Sequence, residues 1–88
     1  RNSAYGDALF HMTDLAFQNG NFLQARAFLQ RSLEATSASP ELYWLCFQIE
    51  NELQSETRAQ RCASELRRNF PESVQATQLF ELEQNAPR

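Results

Sequence analysis

Apolar residues recur at spacings of three and four along the whole chain, the period of an α-helix with one buried face. Five segments carry this pattern. The first is predicted from about Ser3 to Asn19, with Leu9, Met12, Leu15, Ala16 and Phe17 in a broad apolar stripe and Tyr5 and Phe10 nearby. Asn2 or Ser3 supplies its start, because a side-chain oxygen there accepts an otherwise unpaired backbone N–H. Gly20 supplies its stop, since glycine enters the left-handed closing conformation without a Cβ clash. The second segment is predicted from about Phe22 to Thr36, with Asn21 and Gln24 at capping-box spacing and Ala25, Phe28, Leu29 and Leu33 on one face. The polar stretch Thr36-Ser37-Ala38-Ser39 interrupts the period. A third helix then begins with Ser39 as cap and Pro40 at the first helical position, where its missing N–H does no harm. Its apolar face is Leu42, Tyr43, Leu45, Cys46, Ile49 and Leu53.

Gln54-Ser55 reads as a turn, with Ser55 capping a fourth helix from about Glu56 to Asn69. That helix is arginine-rich outside and small inside, at Ala59, Cys62, Ala63 and Leu66, so a neighbouring helix can approach closely. Phe70-Pro71 stops it, because proline cannot continue a helix and restricts the residue before it. A last helix is predicted from about Glu72 to Gln84, with Val74, Leu79, Phe80 and Leu82 apolar, and the tail from Asn85 to Arg88 is expected to fray.

Composition agrees with an all-α class. The 88 residues suit one domain with a modest core, and 42% hydrophobic with 22% charged residues excludes disordered and collagen-like chains. Two glycines and three prolines leave little punctuation for a many-turned β fold. A net charge of −3 argues against nucleic acid and anionic membrane as main partners. All the basic residues are arginine; there is no lysine. No apolar run reaches the ~18–20 residues of a membrane span, and no signal-peptide pattern is present. A start at Arg1 rather than Met suggests a processed chain or an excised piece.

Candidate chemistry is sparse. Cys46 and Cys62 lie sixteen apart without a second ligand pair, and His11 cannot complete a zinc site with them, so no metal and no cofactor are expected. Two buried free thiols is the plain expectation; a disulfide in an oxidising compartment is the alternative. His11 has no nucleophile or carboxylate arranged for general-base work and reads as a surface or boundary residue. Glu50, Glu52 and Glu56 read as a wet helix end rather than a cation site. Arg58, Arg61, Arg67 and Arg68 read as a solvated outer face, with Glu65 placed to pair with Arg61.

The decisive pattern is internal. Ala25 and Ala59 each sit near the start of the second helix of a pair, at the same point of two successive units. The interval between them is the 34-residue period of helix–turn–helix units that the tetratricopeptide repeat shows, and the chain resembles that repeat. The stretch Leu15-Ala16-Phe17-Gln18-Asn19-Gly20-Asn21-Phe22-Leu23-Gln24-Ala25 resembles the repeat's central run. Thr13 and Phe47 depart from it where a small residue is usual, Ser37 replaces the closing proline, and unit two lacks the turn glycine. The expected array is repeat one over 3–36, repeat two over 39–69 and a capping helix over 72–84.

A narrower resemblance covers nearly the whole chain. Gln24-Ala25-Arg26-Ala27-Phe28-Leu29 and Leu66-Arg67-Arg68-Asn69-Phe70-Pro71-Glu72-Ser73 resemble the C-terminal region of the type IV pilus biogenesis protein family PilF, also called PilW. That resemblance implies a parent that is an all-helical lipoprotein on the periplasmic face of the outer membrane. It would act as a pilotin, helping the pilus secretin to localise and assemble. Its membrane attachment would be a lipid anchor outside this segment. By the repeat pattern, a partner-binding groove would be formed by Asp7, Phe10, Asp14, Phe17 and Gln18 from unit one and Glu41, Trp44, Gln48, Asn51 and Glu52 from unit two. Phe10, Phe17 and Trp44 have a competing reading as residues packed against a preceding repeat or the closing helix. The alternatives to the pilotin are a tetratricopeptide adaptor for another peptide or protein and, least favoured, an enzyme of helical fold. With two units and a closing helix, marginal stability and dimerisation in isolation, through Tyr5, Phe10 or Phe17 at the open end, are expected.

Overall fold

The computed structural model describes residues 3–35 and 37–85, with side chains from Tyr5 onward. Five helices follow one another: α1 (Ser3–Gln18), α2 (Phe22–Ala35), α3 (Pro40–Glu52), α4 (Glu56–Asn69) and α5 (Val74–Asn85). No strand occurs among the described residues. α1 packs along α2 and α3 along α4, and the short turns make each pair an antiparallel hairpin. α2 meets α3, while α5 lies against α3 and α4. Contacts of α3 with both α1 and α5 make α1, α3 and α5 one layer, backed by α2 and α4. The result is an elongated body of 41 × 28 × 19 Å.

The repeat period is written into the backbone hydrogen bonds. Asn21 N–H donates to the Ala16 carbonyl at 2.8 Å and Gly20 N–H to Phe17 at 3.1 Å, the pair of bonds that closes a helix in a Schellman turn. Ser55 N–H donates to Glu50 at 2.9 Å and Gln54 N–H to Asn51 at 3.0 Å, the same two bonds one period later. The left-handed residue shifts with them, from Gly20 at φ +80° to Gln54 at φ +58°. The missing turn glycine of unit two is thus replaced by a glutamine held in the conformation that glycine prefers. Helix starts repeat as well. The Ser39 hydroxyl accepts from Leu42 N–H at 3.2 Å, and the Ser73 hydroxyl accepts from Ala76 N–H at 3.0 Å. By this measure α5 begins as α3 does. Ala25 and Ala59 occupy equivalent sites: both are buried, and the N–H of each donates at 2.9 Å to the carbonyl four residues earlier, Asn21 or Ser55.

Several expectations are corrected. α5 starts at Val74 rather than Glu72, because the Ser73 hydroxyl also donates to the Phe70 carbonyl at 2.8 Å and holds Pro71 to Ser73 in a turn. Ser55 makes no side-chain cap: its ψ of 81° turns the hydroxyl away, whereas Ser39, at ψ 160°, has the extended backbone a cap requires. The capping-box spacing of Asn21 and Gln24 produces no box: Asn21 is exposed, its backbone carbonyl takes the ordinary first helical bond from Ala25 N–H at 2.9 Å, and no side-chain bond links it to Gln24. The proposed cap at Asn2, the side chain of Ser3, the end of α2 at Thr36 and the tail 86–88 lie outside what the structure describes, while the Ser3 backbone is already helical.

Apolar stripes at the two ends of the stack are half open. Leu15 is 48% exposed, yet Ile49, its counterpart in the next unit, is completely buried. α3 has a layer neighbour on each side and α1 only one, which is the physical reason. Met12, Val74, Phe80 and Leu82 are exposed for the same reason; of the apolar positions expected on α5, Leu79 alone is buried.

Cys46 and Cys62 form a disulfide between α3 and α4, with Cα atoms 5.9 Å apart, in place of the expected free thiols. Glu65 pairs with Arg68 at 2.9 Å rather than with Arg61, since a one-turn step toward the helix end also brings it within 2.9 Å of the Asn69 amide.

Candidate functional site

Among the described residues, one ion pair joins the two hairpins where α2 packs on α3. Arg26 on α2 grips Glu50 on α3 with two parallel hydrogen bonds, Nε to Oε2 at 2.9 Å and Nη2 to Oε1 at 2.7 Å. The Glu50 side chain is 4% exposed, so this carboxylate sits in the core and not at a wet helix end. Its hydrogen bonds raise the Arg26 guanidinium further above its ordinary value, and they outweigh the desolvation that pulls the other way. A bidentate pair holds its two side chains in one relative orientation, and here those side chains belong to different hairpins.

That layer carries two clefts. The larger, about 460 Å³, opens between Phe17 of α1, the C-terminal half of α3 and the facing side of α5. It brings together five of the ten residues expected in a groove: Phe17, Trp44, Gln48, Asn51 and Glu52. Trp44 stacks on Phe47 with ring centres 5.8 Å apart and planes 16° from parallel. Phe17 meets the edge of Phe22 at 5.6 Å. α5 contributes Gln78, Glu81 and Leu82, which sequence reasoning missed. One repeat period forward from Trp44, Phe47 and Gln48 lands on these three positions, so the repeat itself was the available signal.

The second cleft, about 280 Å³, lies between the starts of α1 and α3 and the last turn of α2. Asp7, Phe10 and Glu41 line it, three more of the expected ten. Ser32 also lines it, and its hydroxyl is completely buried without a hydrogen-bond partner. The sequence signal for Ser32 is a polar residue where the next unit has the buried Leu66. Asp14 and Gln18 border neither cleft; the Gln18 amide donates to Asp14 at 3.4 Å on the helix surface. Phe10, Phe17 and Trp44 are half-buried: each packs against the core and also faces a cleft.

Charge divides by layer. α1, α3 and α5 carry Asp7, Asp14, Glu41, Glu50, Glu52, Glu81 and Glu83 and not one arginine. α2 and α4 carry Arg26, Arg31, Arg58, Arg61, Arg67 and Arg68 against Glu34, Glu56 and Glu65. Glu50 and Glu83 are tied to arginines of the other layer, Glu83 to Arg67 at 3.0 Å. The cleft-lining carboxylates Asp7, Glu41, Glu52 and Glu81 join none of the ion pairs among the described residues. Arg58, Arg61, Arg67 and Arg68 are exposed on the outer face of α4, and His11 is exposed on α1.

Among the described residues no group of three or more His, Cys, Asp or Glu side chains is placed to hold a metal ion, and no helix is long and apolar enough to cross a membrane. Set against family models, curated proteins and solved structures, the chain finds no match in any of the three comparisons.

Proposed function

We propose that this chain is a non-enzymatic scaffold for protein–protein interaction, built from tetratricopeptide-like hairpins, and that it serves as the C-terminal repeats of a type IV pilus pilotin. The recurrence of the turn bonds, left-handed residue and serine caps at one common period carries the reading. In such an array the first helix of each unit lines a concave face, and a peptide or helix docks there. Here that face holds Trp44 and Phe17, large anchors of the kind that dominate binding energies, among amides and carboxylates suited to an extended backbone.

The Cys46–Cys62 disulfide favours an oxidising compartment over the cytosol, in keeping with the periplasmic face of the outer membrane. The proposed partner is the pilus secretin or another pilus assembly protein, with membrane attachment through a lipid anchor outside this segment. Trp44→Ala is the test. Capture of the secretin should weaken by roughly 30-fold, the loss of about 2 kcal/mol at one aromatic hot spot, while far-ultraviolet circular dichroism stays helical. Undiminished capture would overturn the groove. A tetratricopeptide adaptor for a different partner is the second reading; it takes over if the parent fractionates with soluble cytosolic proteins.

A further inference from the structure

The cleft at the start of α1 and α3 has features that general peptide docking does not require. Two carboxylates, Asp7 and Glu41, border it from neighbouring helices, and neither has a cationic partner among the described residues. Phe10 provides an apolar wall. On the α2 side stands Ser32, a hydroxyl buried in the protein with nothing to bond to. An unsatisfied buried hydroxyl costs free energy, so a ligand atom that reaches it recovers that cost on binding. No arginine lies on the same layer to neutralise the site.

We infer that this cleft is a subsite for a lysine side chain of a partner protein. This rests on the groove reading and names the chemistry the groove selects. A lysine offers a slender apolar stem and an ammonium with three donors. Those donors match the Asp7 carboxylate, the Glu41 carboxylate and the Ser32 hydroxyl, while the stem lies along Phe10. The planar guanidinium of arginine is broader, and its fixed fork suits one carboxylate in its plane rather than acceptors on three sides. Charge complementarity also selects the source. The 88 residues contain no lysine, so neither this segment nor a second copy of it supplies the ammonium, and the occupant proposed is a partner protein.

The test uses fluorescein-labelled dodecapeptides of alternating leucine and alanine with one central lysine, or with arginine, glutamine or glutamate in its place. Binding is followed by anisotropy at two salt concentrations. The lysine peptide should bind about tenfold tighter than the glutamine peptide, and more tightly than the arginine one, with the advantage shrinking in high salt. Asp7→Asn combined with Glu41→Gln, both at exposed positions, should erase the lysine preference while binding of the glutamine peptide is kept. Ser32→Ala should weaken the lysine peptide and leave the melting temperature unchanged or higher, which a purely structural hydroxyl would not do. Equal binding of lysine and glutamine peptides, or a lysine preference that survives the double substitution, overturns the subsite. If those two peptides bind equally and Trp44→Ala abolishes both, the groove stands and the lysine inference falls. If no peptide binds, both fall.

Discussion

The hairpins α1–α2 and α3–α4 share a backbone and differ in how they are secured. Both close through the same two turn bonds, and both bury an alanine near the start of their second helix. The first hairpin relies on Gly20 and on side-chain packing. The second lacks the glycine, strains Gln54 into the left-handed region, and adds a disulfide and the inward carboxylate of Glu50. The counterpart of Glu50 in the first unit is Ala16. The lesson is that the repeat fixes chain geometry, whereas stability and unit-to-unit orientation are set by residues that break the repeat. Arg26 and Glu50 occur in only one register, so the pair defines a single way for unit two to sit on unit one.

The largest expected effect comes from that pair. Arg26→Ala leaves the Glu50 carboxylate buried without a counter-charge and should destabilise by about 3–5 kcal/mol. Urea unfolding followed by circular dichroism measures it. A domain of this size has only about 5–15 kcal/mol in all, so the variant should lose a large fraction of its stability. Combining Arg26→Met with Glu50→Leu should restore most of the loss, because an apolar pair of similar volume needs no desolvated charge. If the single variant melts like the parent chain, the two hairpins are held by packing alone and the asymmetry between them disappears.

Next comes the disulfide. It closes a loop with a sequence separation of 16, for which restriction of the unfolded chain is worth about 3 kcal/mol. Cys46→Ala with Cys62→Ala, or dithiothreitol, should lower the urea midpoint by that equivalent with little change in helicity. The effect should be confined to the second hairpin: amide exchange in α3 and α4 should quicken far more than in α1 and α2. Uniform quickening across all helices would mean that the hairpins unfold as one unit.

Much of this fold is legible in the chain. Gly20, the Ser39-Pro40 start and the Phe70-Pro71 stop are local signals whose physics does not depend on neighbours. The matched placing of Ala25 and Ala59 in successive units is readable in the same way. What escapes is contextual. Leu15 and Ile49 have the same place in their repeats, but burial depends on how many layer neighbours a helix has, and the apolar period does not count them. Glu50 reads as one of three glutamates near a turn, and its inward direction becomes visible only when Arg26, on the preceding helix, faces it. Within the cleft, Trp44 and Phe17 follow from the repeat. Glu81 and Leu82 escape as long as α5 is taken for a lid, because only carrying the repeat one period further turns its face toward the groove. Charge separation between the layers is available by counting arginines helix by helix.

The smallest effect gives the sharpest comparison. If the two turns are equivalent, exchanging their left-handed residues should give changes of similar size and opposite sign. A non-glycine residue in the left-handed region costs about 1–2 kcal/mol, partly offset because glycine leaves the unfolded chain freer by about 0.4–1 kcal/mol. Gln54→Gly should therefore stabilise by about 1 kcal/mol, and Gly20→Gln should destabilise by about the same. A Cβ built at Gly20 meets no atom within 4 Å, so the cost there is conformational and not a clash. Paired urea titrations would read both changes. A loss at Gly20 without a matching gain at Gln54 would show that the Gln54 side chain contributes binding energy of its own in the second turn, and the equivalence of the hairpins would then extend only to hydrogen bonds.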